Sequence, residues 1–149
     1  MTSWQSRLAL AVRLGLGAVF VYAAWTKLSQ PWALFALSID GYGILPEAAV
    51  VAVARSLPWV ELLLALALLA GRFRRTAATA AAAILLLFFA VMVRSYLKGL
   101  QIDCGCFGVG EALSARTLAR DGALVAAAVA LAAVEYRRDT LRQVRPQQP

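Results

Sequence analysis

The sequence predicts an all-α integral membrane protein, a four-helix bundle with a cysteine-containing extracytoplasmic loop between its third and fourth helices. Hydrophobic residues make up 62% of the chain and charged residues 15%, whereas an ordinary soluble domain is about 45–50% apolar and about 25% charged. Four apolar segments also approach the roughly 20 residues that a helix needs to cross the hydrocarbon core of a bilayer.

These segments cover about residues 7–28, 48–70, 76–96 and 115–136. The third is the clearest, because Ala77 to Val93 contains no charged residue, whereas Arg13 interrupts the first. Small residues are frequent in the segments and allow helices in a membrane to pack closely. No repeat or linker separates a second unit. We therefore expect one domain over residues 1–149, with residues 137–149 as a basic cytoplasmic tail.

The distribution of arginine predicts the orientation, because cytoplasmic loops of membrane proteins are enriched in Lys and Arg. The link between the second and third segments reads "GRFRR", and four further arginines follow the fourth segment. We expect both termini on the cytoplasmic side of a bacterial inner membrane and the cysteines outside. Basic residues near the outer helix ends weaken this argument unless those charges have local functions. The net charge of +7 then matches anionic lipid, and no basic face with stacking aromatics predicts nucleic-acid binding.

The two cysteines of the chain, Cys104 and Cys106, lie in the segment "IDCGCFGVG". Gly105 allows the sharp bend that a disulfide between them requires, and Gly108 indicates a shaped loop. Such a small ring is expected to be strained, and strained exposed disulfides are the labile ones that exchange. Disulfides persist outside the cytosol, which agrees with the predicted orientation.

Charged neighbours should tune these thiols. Lys98 and Arg94 would favour a thiolate, whereas Asp103, next to Cys104, would oppose it. Phe107 completes the set of residues expected to support the loop.

Two other interpretations of the cysteines remain. Free buried thiols pack as small hydrophobic groups, and a pair of thiolates can hold a soft ion such as Cu(I) or Hg(II). The chain contains no histidine and only two methionines, so further soft ligands are scarce and we assign no metal ligands.

Ionisable residues inside spanning helices are costly and usually face a partner or a polar cavity. Glu61 lies in the second segment, and its expected partner is Lys27 or Arg55 near the outer surface. With Arg94, these residues form a predicted intramembrane charge site. It serves either as a structural ion pair or as a proton-handling group beside the cysteines.

Several aromatic residues lie at the ends of the predicted helices that face the cysteine loop. Such residues commonly form the interfacial belt of a membrane protein, but a quinone ring would also stack on them. The candidates for that contact are Tyr22, Trp25, Trp59 and Tyr96.

Four short motifs occur in a fixed order along this hydrophobic frame. They are "VYAAWTKL" at 21–28, "GYGILP" at 41–46, "LPWVE" at 57–61 and "CGCFG" at 104–108. Together they resemble the DoxX/MauE family of redox-associated membrane proteins, on the MauE side, over about residues 7–134. The family usually has glycine where this chain has Ala23 and Ala24.

The resemblance implies thiol–disulfide chemistry outside the cytoplasm. MauE-like proteins are linked to maturation of periplasmic methylamine dehydrogenase with a thioredoxin-like partner, and DoxX-like proteins to quinone-linked sulfur oxidation. We expect electrons to pass between a periplasmic thioredoxin-like protein and a quinone through Cys104 and Cys106. The alternatives are a non-catalytic membrane anchor or assembly factor for a redox partner, and a soft-metal carrier. The single cysteine pair leaves open whether the protein is an enzyme.

The predicted orientation can be tested by thiol labelling of intact cells. After mild reduction, a membrane-impermeant maleimide should label Cys104 or Cys106 from outside. Labelling that appears only after permeabilisation would contradict this topology.

Overall fold

A computed structural model of the chain describes residues 3–144. Its elements are α1 (Ser3–Leu28), α2 (Trp32–Asp40), α3 (Glu47–Ala70), α4 (Arg74–Leu97), β1 (Asp103–Gly105), β2 (Gly108–Ala112) and α5 (Ala115–Val144). Helices α1, α3, α4 and α5 are each long and apolar enough to cross a membrane. The predicted all-α class with four spanning helices is confirmed, and the cysteines follow α4 as expected.

The four long helices begin and end close to the predicted bounds except at the end of α5. This helix continues to Val144 rather than stopping near residue 136. The added residues include arginine, leucine and glutamine, which favour a helix even outside an apolar environment. Part of the expected tail is therefore helical, and its residues 145–149 lie outside the described residues.

Helix α2 was not predicted. Its nine residues are too few to span a bilayer, and so they escaped a search for spanning segments. Phe35 and Ile39 of α2 are buried against Val50 and Ala54 of α3. Because of this contact, α2 folds back along the first half of α3.

Small side chains dominate the centre of the bundle. A single buried cluster joins α1, α3, α4 and α5, and it includes Ala65, Ala78, Ala81 and Ala128, each at most 1% exposed. Without a hydrophobic driving force between helices in lipid, close van der Waals packing of small residues stabilises their association. Gly17 shows how close this packing is, since an added Cβ there would stand 2.8 Å from the side chain of Leu69.

Arg13, the charge that interrupts the first predicted segment, is 8% exposed. A Cβ added to Gly71, directly after α3, would stand 2.7 Å from its Nη1 atom. The guanidinium thus lies at the C-terminal end of α3, where the helix dipole favours a cation.

The segment that carries the cysteines forms a β-hairpin. Strands β1 and β2 are antiparallel, with Gly105 opposite Gly108 and an irregularity between Asp103 and Gly105. The hairpin joins the end of α4 to the start of α5, so it lies at the end of the bundle opposite the α3–α4 link. The two charged features of the sequence, the arginine-rich link and the cysteine loop, therefore occupy opposite ends of the fold.

Substitution of Gly17 should separate packing from helix propensity. Gly15→Ala should be neutral or stabilise the protein by up to about 1 kcal/mol, since alanine favours a helix and nothing lies within 4 Å of the added Cβ. Gly17→Ala should be about 1–3 kcal/mol less stable than Gly15→Ala because it overpacks the contact with Leu69. Denaturation in mixed detergent micelles measures both free energies of unfolding. Equal stabilities would contradict the close α1–α3 contact.

Candidate functional site

A buried ion pair lies directly beneath the hairpin. Lys27 Nζ is 3.0 Å from one carboxylate oxygen of Glu61 and 3.1 Å from the other, and their side chains are 2% and 7% exposed. This is the contact expected for Glu61, with Lys27 rather than Arg55 as its partner. Glu61 is fourteen residues after the start of α3, about 21 Å along the helix axis. The pair therefore lies near the middle of α3, not near its outer end.

Two side chains hold the hairpin by its backbone. Lys27 Nζ also donates a hydrogen bond of 2.7 Å to the carbonyl oxygen of Cys106. Tyr42, from the link after α2, donates one of 2.7 Å to the carbonyl oxygen of Cys104. Burial raises the pKa of Tyr42, and the neighbouring Cys106 and Cys104 raise it further, so the phenol remains a protonated donor. The peptide groups on both sides of Gly105 are thus fixed to the bundle.

Both cysteines are free thiols that lie side by side in the hairpin. Their sulfur atoms and a carboxylate oxygen of Asp121 lie within 4.8 Å of one another. The backbone N–H of Cys106 donates to Cys104 Sγ at 3.4 Å, and Cys106 Sγ lies 3.5 Å from Met92 Sδ. Cys104 is 2% exposed, whereas Cys106 is partly exposed.

The surroundings distinguish the two thiols electrostatically. Hydrogen bonds from the Cys106 side chain and backbone lower the pKa of Cys104 although burial opposes this. The pKa of Cys106 is raised by its hydrogen bond with Cys104 and by burial. Arg120 Nη2 lies 3.9 Å from Cys104 Sγ. Cys104 is therefore the thiolate of the pair, and Cys106 is the protonated partner.

The residues around the cysteines shape the loop. Gly105 has φ = 70°, a conformation that other residues rarely adopt, and a Cβ there would lie 3.2 Å from Ser38 Cβ. Asp103 accepts a hydrogen bond from the Gly110 N–H at 3.2 Å. The predicted support residues Asp103, Gly105 and Gly108 are thus part of the hairpin itself.

Phe107 links the hairpin to two helices. Its ring centroid lies 5.7 Å from that of Tyr22 on α1. The guanidinium carbon of Arg120 on α5 lies 4.4 Å from the centroid of the Phe107 ring. The ring therefore packs between α1 and α5 at the edge of the cysteine site.

The cations that the sequence analysis placed beside the cysteines are not there. Arg94 and Lys98 are exposed, and within residues 3–144 neither has a hydrogen bond or ion pair with a cysteine. Both follow the surface of α4 as it ends, while the hairpin folds back over the bundle toward α5. Arg120 takes the expected position instead, and it is held by ion pairs with Glu111 and Asp121.

Arg55 also lies away from the charge site. It is exposed, and its guanidinium carbon lies 4.3 Å from the ring centroid of Trp32. The charge site in the structure therefore consists of Lys27 and Glu61, without Arg55 and Arg94.

Four aromatic side chains were candidates for a quinone contact. Tyr22, Trp25, Trp59 and Tyr96 are all largely exposed, with values from 44% to 68%, as expected of a belt at the membrane surface. Only Tyr22, through Phe107, has a ring contact with the hairpin among the described residues. The exposed aromatics therefore do not enclose a ligand.

Two cavities adjoin the cysteines on different sides. An apolar cavity of about 220 Å³ lies between α2, α3 and α4 and includes Phe35, Tyr42, Phe88 and Cys104 in its wall. A smaller cavity of about 40 Å³ includes Lys27, Glu61, Met92, Cys106 and Asp121. The first borders the Cys104 side of the pair and the second the Cys106 side.

Sequence reasoning missed three residues of this site: Arg120, Met92 and Asp121. Arg120 and Asp121 appeared only as charges at the start of the fourth segment, and Met92 as an isolated methionine. Their positions one to two turns inside α4 and α5 were the available signal, because helices that flank a short hairpin bring such residues beneath it. The identity of the contacts required the hairpin geometry.

Comparison with known proteins gives a consistent family. The family model described as "Methylamine utilisation protein MauE" matches residues 5–134. The chain is 37% identical over 131 residues to the methylamine utilization protein MauE of Paracoccus denitrificans, covering 86% of this chain and 70% of that relative. No solved structure matches the chain.

The buried ion pair can be tested by removing one or both charges. Lys27→Met should destabilise the protein by about 3–5 kcal/mol, because it leaves the Glu61 carboxylate buried without its partner. The double variant Lys27→Met/Glu61→Leu should recover much of that loss, since no unpaired charge remains. The matched control Arg55→Met should cost less than about 1 kcal/mol, the value of a cation–π contact at an exposed site. Denaturation in detergent measures each variant, and a Lys27→Met loss no larger than that of the control would contradict the assignment.

Proposed function

The chain belongs to the MauE family and is a multi-pass membrane protein, and on this basis we propose that it takes part in thiol–disulfide exchange outside the cytoplasm. In this proposal Cys104 and Cys106 pass electrons from a periplasmic thioredoxin-like protein to a membrane quinone. The single observation that carries the proposal is the pair of free thiols with adjacent sulfur atoms and opposite pKa shifts.

The exposure of the two sulfurs favours one order of attack. In the oxidised pair, Cys106 is the partly exposed sulfur and Cys104 the buried one. A thiolate of the partner attacks Cys106 Sγ, a mixed disulfide forms, and Cys104 leaves as a thiolate. The second thiol of the partner then attacks the mixed disulfide, so that the partner leaves oxidised and Cys106 becomes a thiol. Exchange is faster when the leaving thiol has a low pKa, which Cys104 provides.

The same asymmetry favours one direction of electron flow. A lowered pKa stabilises the reduced form of a cysteine pair and makes its disulfide a better oxidant. The N–H of Cys106 at 3.4 Å and Arg120 at 3.9 Å both stabilise the Cys104 thiolate. The pair is therefore suited to oxidise its partner and to accept two electrons from it.

The cavity beside Cys104 fits the head group of a quinone. Its volume of about 220 Å³ exceeds the roughly 150 Å³ that admits a benzene ring, and its wall is largely apolar. A quinone bound there would supply the two-electron acceptor that returns the dithiol to the disulfide. Phe35 and Phe88 would contact the ring, and Cys104 borders the same space.

The arrangement of the bundle supports the proposed location. The arginine-rich α3–α4 link and the hairpin lie at opposite ends of α4. With the link in the cytoplasm, as the excess of positive charge favours, the hairpin faces the periplasm and both termini face the cytoplasm. We place the protein in the bacterial inner membrane on that argument.

Family membership supports a membrane accessory role, and the name of the Paracoccus relative associates that protein with methylamine utilization. We propose that this chain assists a comparable system through its thioredoxin-like partner. A docking role without exchange is the second candidate, and the 2% exposure of Cys104 favours it, since a deeply buried sulfur can serve to stabilise the loop.

Mapping of a trapped mixed disulfide tests the proposal. The oxidised full-length protein in detergent is incubated with reduced thioredoxin whose second active-site cysteine is replaced by serine, then quenched in acid and mapped by mass spectrometry. We expect at least tenfold more adduct on Cys106 than on Cys104, because Cys106 is more exposed and Cys104 is the better leaving group. The variant Cys104→Ser/Cys106→Ser should give no adduct.

Three results would count against exchange. An adduct mainly on Cys104 would contradict the order of attack. Binding of thioredoxin without an adduct would favour the docking role. A potential of the oxidised pair below about −300 mV, the range of structural disulfides, would contradict an oxidant.

A further inference from the structure

The hairpin places a third sulfur atom beside the two cysteines. Met92 Sδ, from the last turns of α4, lies 3.5 Å from Cys106 Sγ, and Met92 is 1% exposed. Cys104 Sγ lies within 4.8 Å of Cys106 Sγ. Three sulfurs bound to one metal at about 2.3 Å would be about 4 Å apart in a trigonal arrangement, so small side-chain rotations suffice to bring these three to that spacing.

The space next to these sulfurs has the size of an ion. The cavity that includes Met92 and Cys106 measures about 40 Å³, which is more than the 10–15 Å³ or so that one water molecule needs and far less than the roughly 150 Å³ that admits a benzene ring. An organic cofactor is therefore excluded from this cavity by size, whereas a single metal ion is not.

The donor atoms select the kind of metal. Thiolate and thioether sulfurs favour soft ions such as Cu(I). The one carboxylate near both cysteines, that of Asp121, is already held by Arg120 at 2.9 and 3.3 Å. A ligand set with two thiolates, one thioether and an occupied carboxylate favours Cu(I) over Zn²⁺, which in structural sites takes four ligands.

The surrounding charges suit the product of such binding. Cu(I) bound by two thiolates releases two thiol protons and leaves one negative charge on the site. Arg120 Nη2, 3.9 Å from Cys104 Sγ, is placed to balance that charge. Lys27 is neutralised by Glu61 and contacts the hairpin through a carbonyl oxygen, so it adds little repulsion.

We propose that Cys104, Cys106 and Met92 form a three-sulfur site that binds one Cu(I) ion when the cysteines are reduced. The site does not depend on disulfide exchange, because it needs Met92 and exchange does not. The two uses exclude each other at any moment, since a disulfide has no thiolate to offer a metal. Copper would therefore compete with oxidation for the same pair.

The experiment measures Cu(I) affinity of the reduced full-length protein in detergent, without oxygen, by competition with the chromophoric chelator bicinchoninate. We expect one Cu(I) per chain, bound at least tenfold more weakly by Met92→Leu, which replaces the thioether with an apolar side chain of similar volume. Val91→Ala changes an apolar neighbour on α4 that packs in the same cluster and should leave the affinity unchanged. X-ray absorption should show three sulfur ligands in the natural protein and two in Met92→Leu.

The proposal fails if the natural protein binds no Cu(I), if Met92→Leu binds as tightly, or if Val91→Ala loses as much affinity as Met92→Leu. It also fails if oxygen or nitrogen ligands replace the third sulfur in the absorption spectrum. Met92→Leu should still form the mixed disulfide on Cys106. Loss of copper binding with intact exchange therefore identifies Met92 as a ligand and leaves the thiol chemistry standing.

Discussion

The contact between Lys27 and Glu61 is the interaction on which the rest of the site depends. A charge inside a spanning helix is costly unless it is paired, so each of these residues fixes the position of the other and thereby the register of α1 against α3. The same ammonium group reaches the carbonyl oxygen of Cys106 at 2.7 Å. One buried cation therefore connects the packing of two helices to the placement of the hairpin above them.

The hairpin is held by its peptide groups, which leaves the sulfur atoms available for chemistry. Lys27 binds the carbonyl of Cys106, and Tyr42 binds that of Cys104. Neither contact uses a thiol. Gly105 makes this possible, because its positive φ turns both carbonyl groups toward the bundle, and its lack of a Cβ permits close approach to Ser38. A change in the state of the sulfurs can thus occur without release of the loop from the helices.

The sequence predicted most of the frame and about half of the site, and the division has a physical cause. Long apolar segments define spanning helices because the bilayer imposes a fixed length, and an intramembrane carboxylate requires a cation, which identified the Lys27–Glu61 contact. The environment of the thiols could not be deduced in the same way. Arg94 and Lys98 are close to the cysteines along the chain, but Arg120 is close in space, because the hairpin reverses the chain onto α5. Helix α2 escaped prediction for a similar reason, since its stability comes from contact with Val50 and Ala54 rather than from its length.

Burial and reactivity are divided between the two cysteines in a way that local sequence does not reveal. Cys104 borders an apolar cavity of about 220 Å³, whereas Cys106 borders one of about 40 Å³ that it shares with Met92 and the ion pair. A membrane protein that links chemistry outside the bilayer to a lipid-soluble acceptor needs these two sides: one sulfur that a protein can reach and one that faces apolar space. The Cys-Gly-Cys spacing provides both, because a single glycine turn keeps the sulfurs adjacent while it directs them to different walls of the bundle. The short spacing that appears wasteful in the sequence is what allows two neighbouring atoms to have two environments.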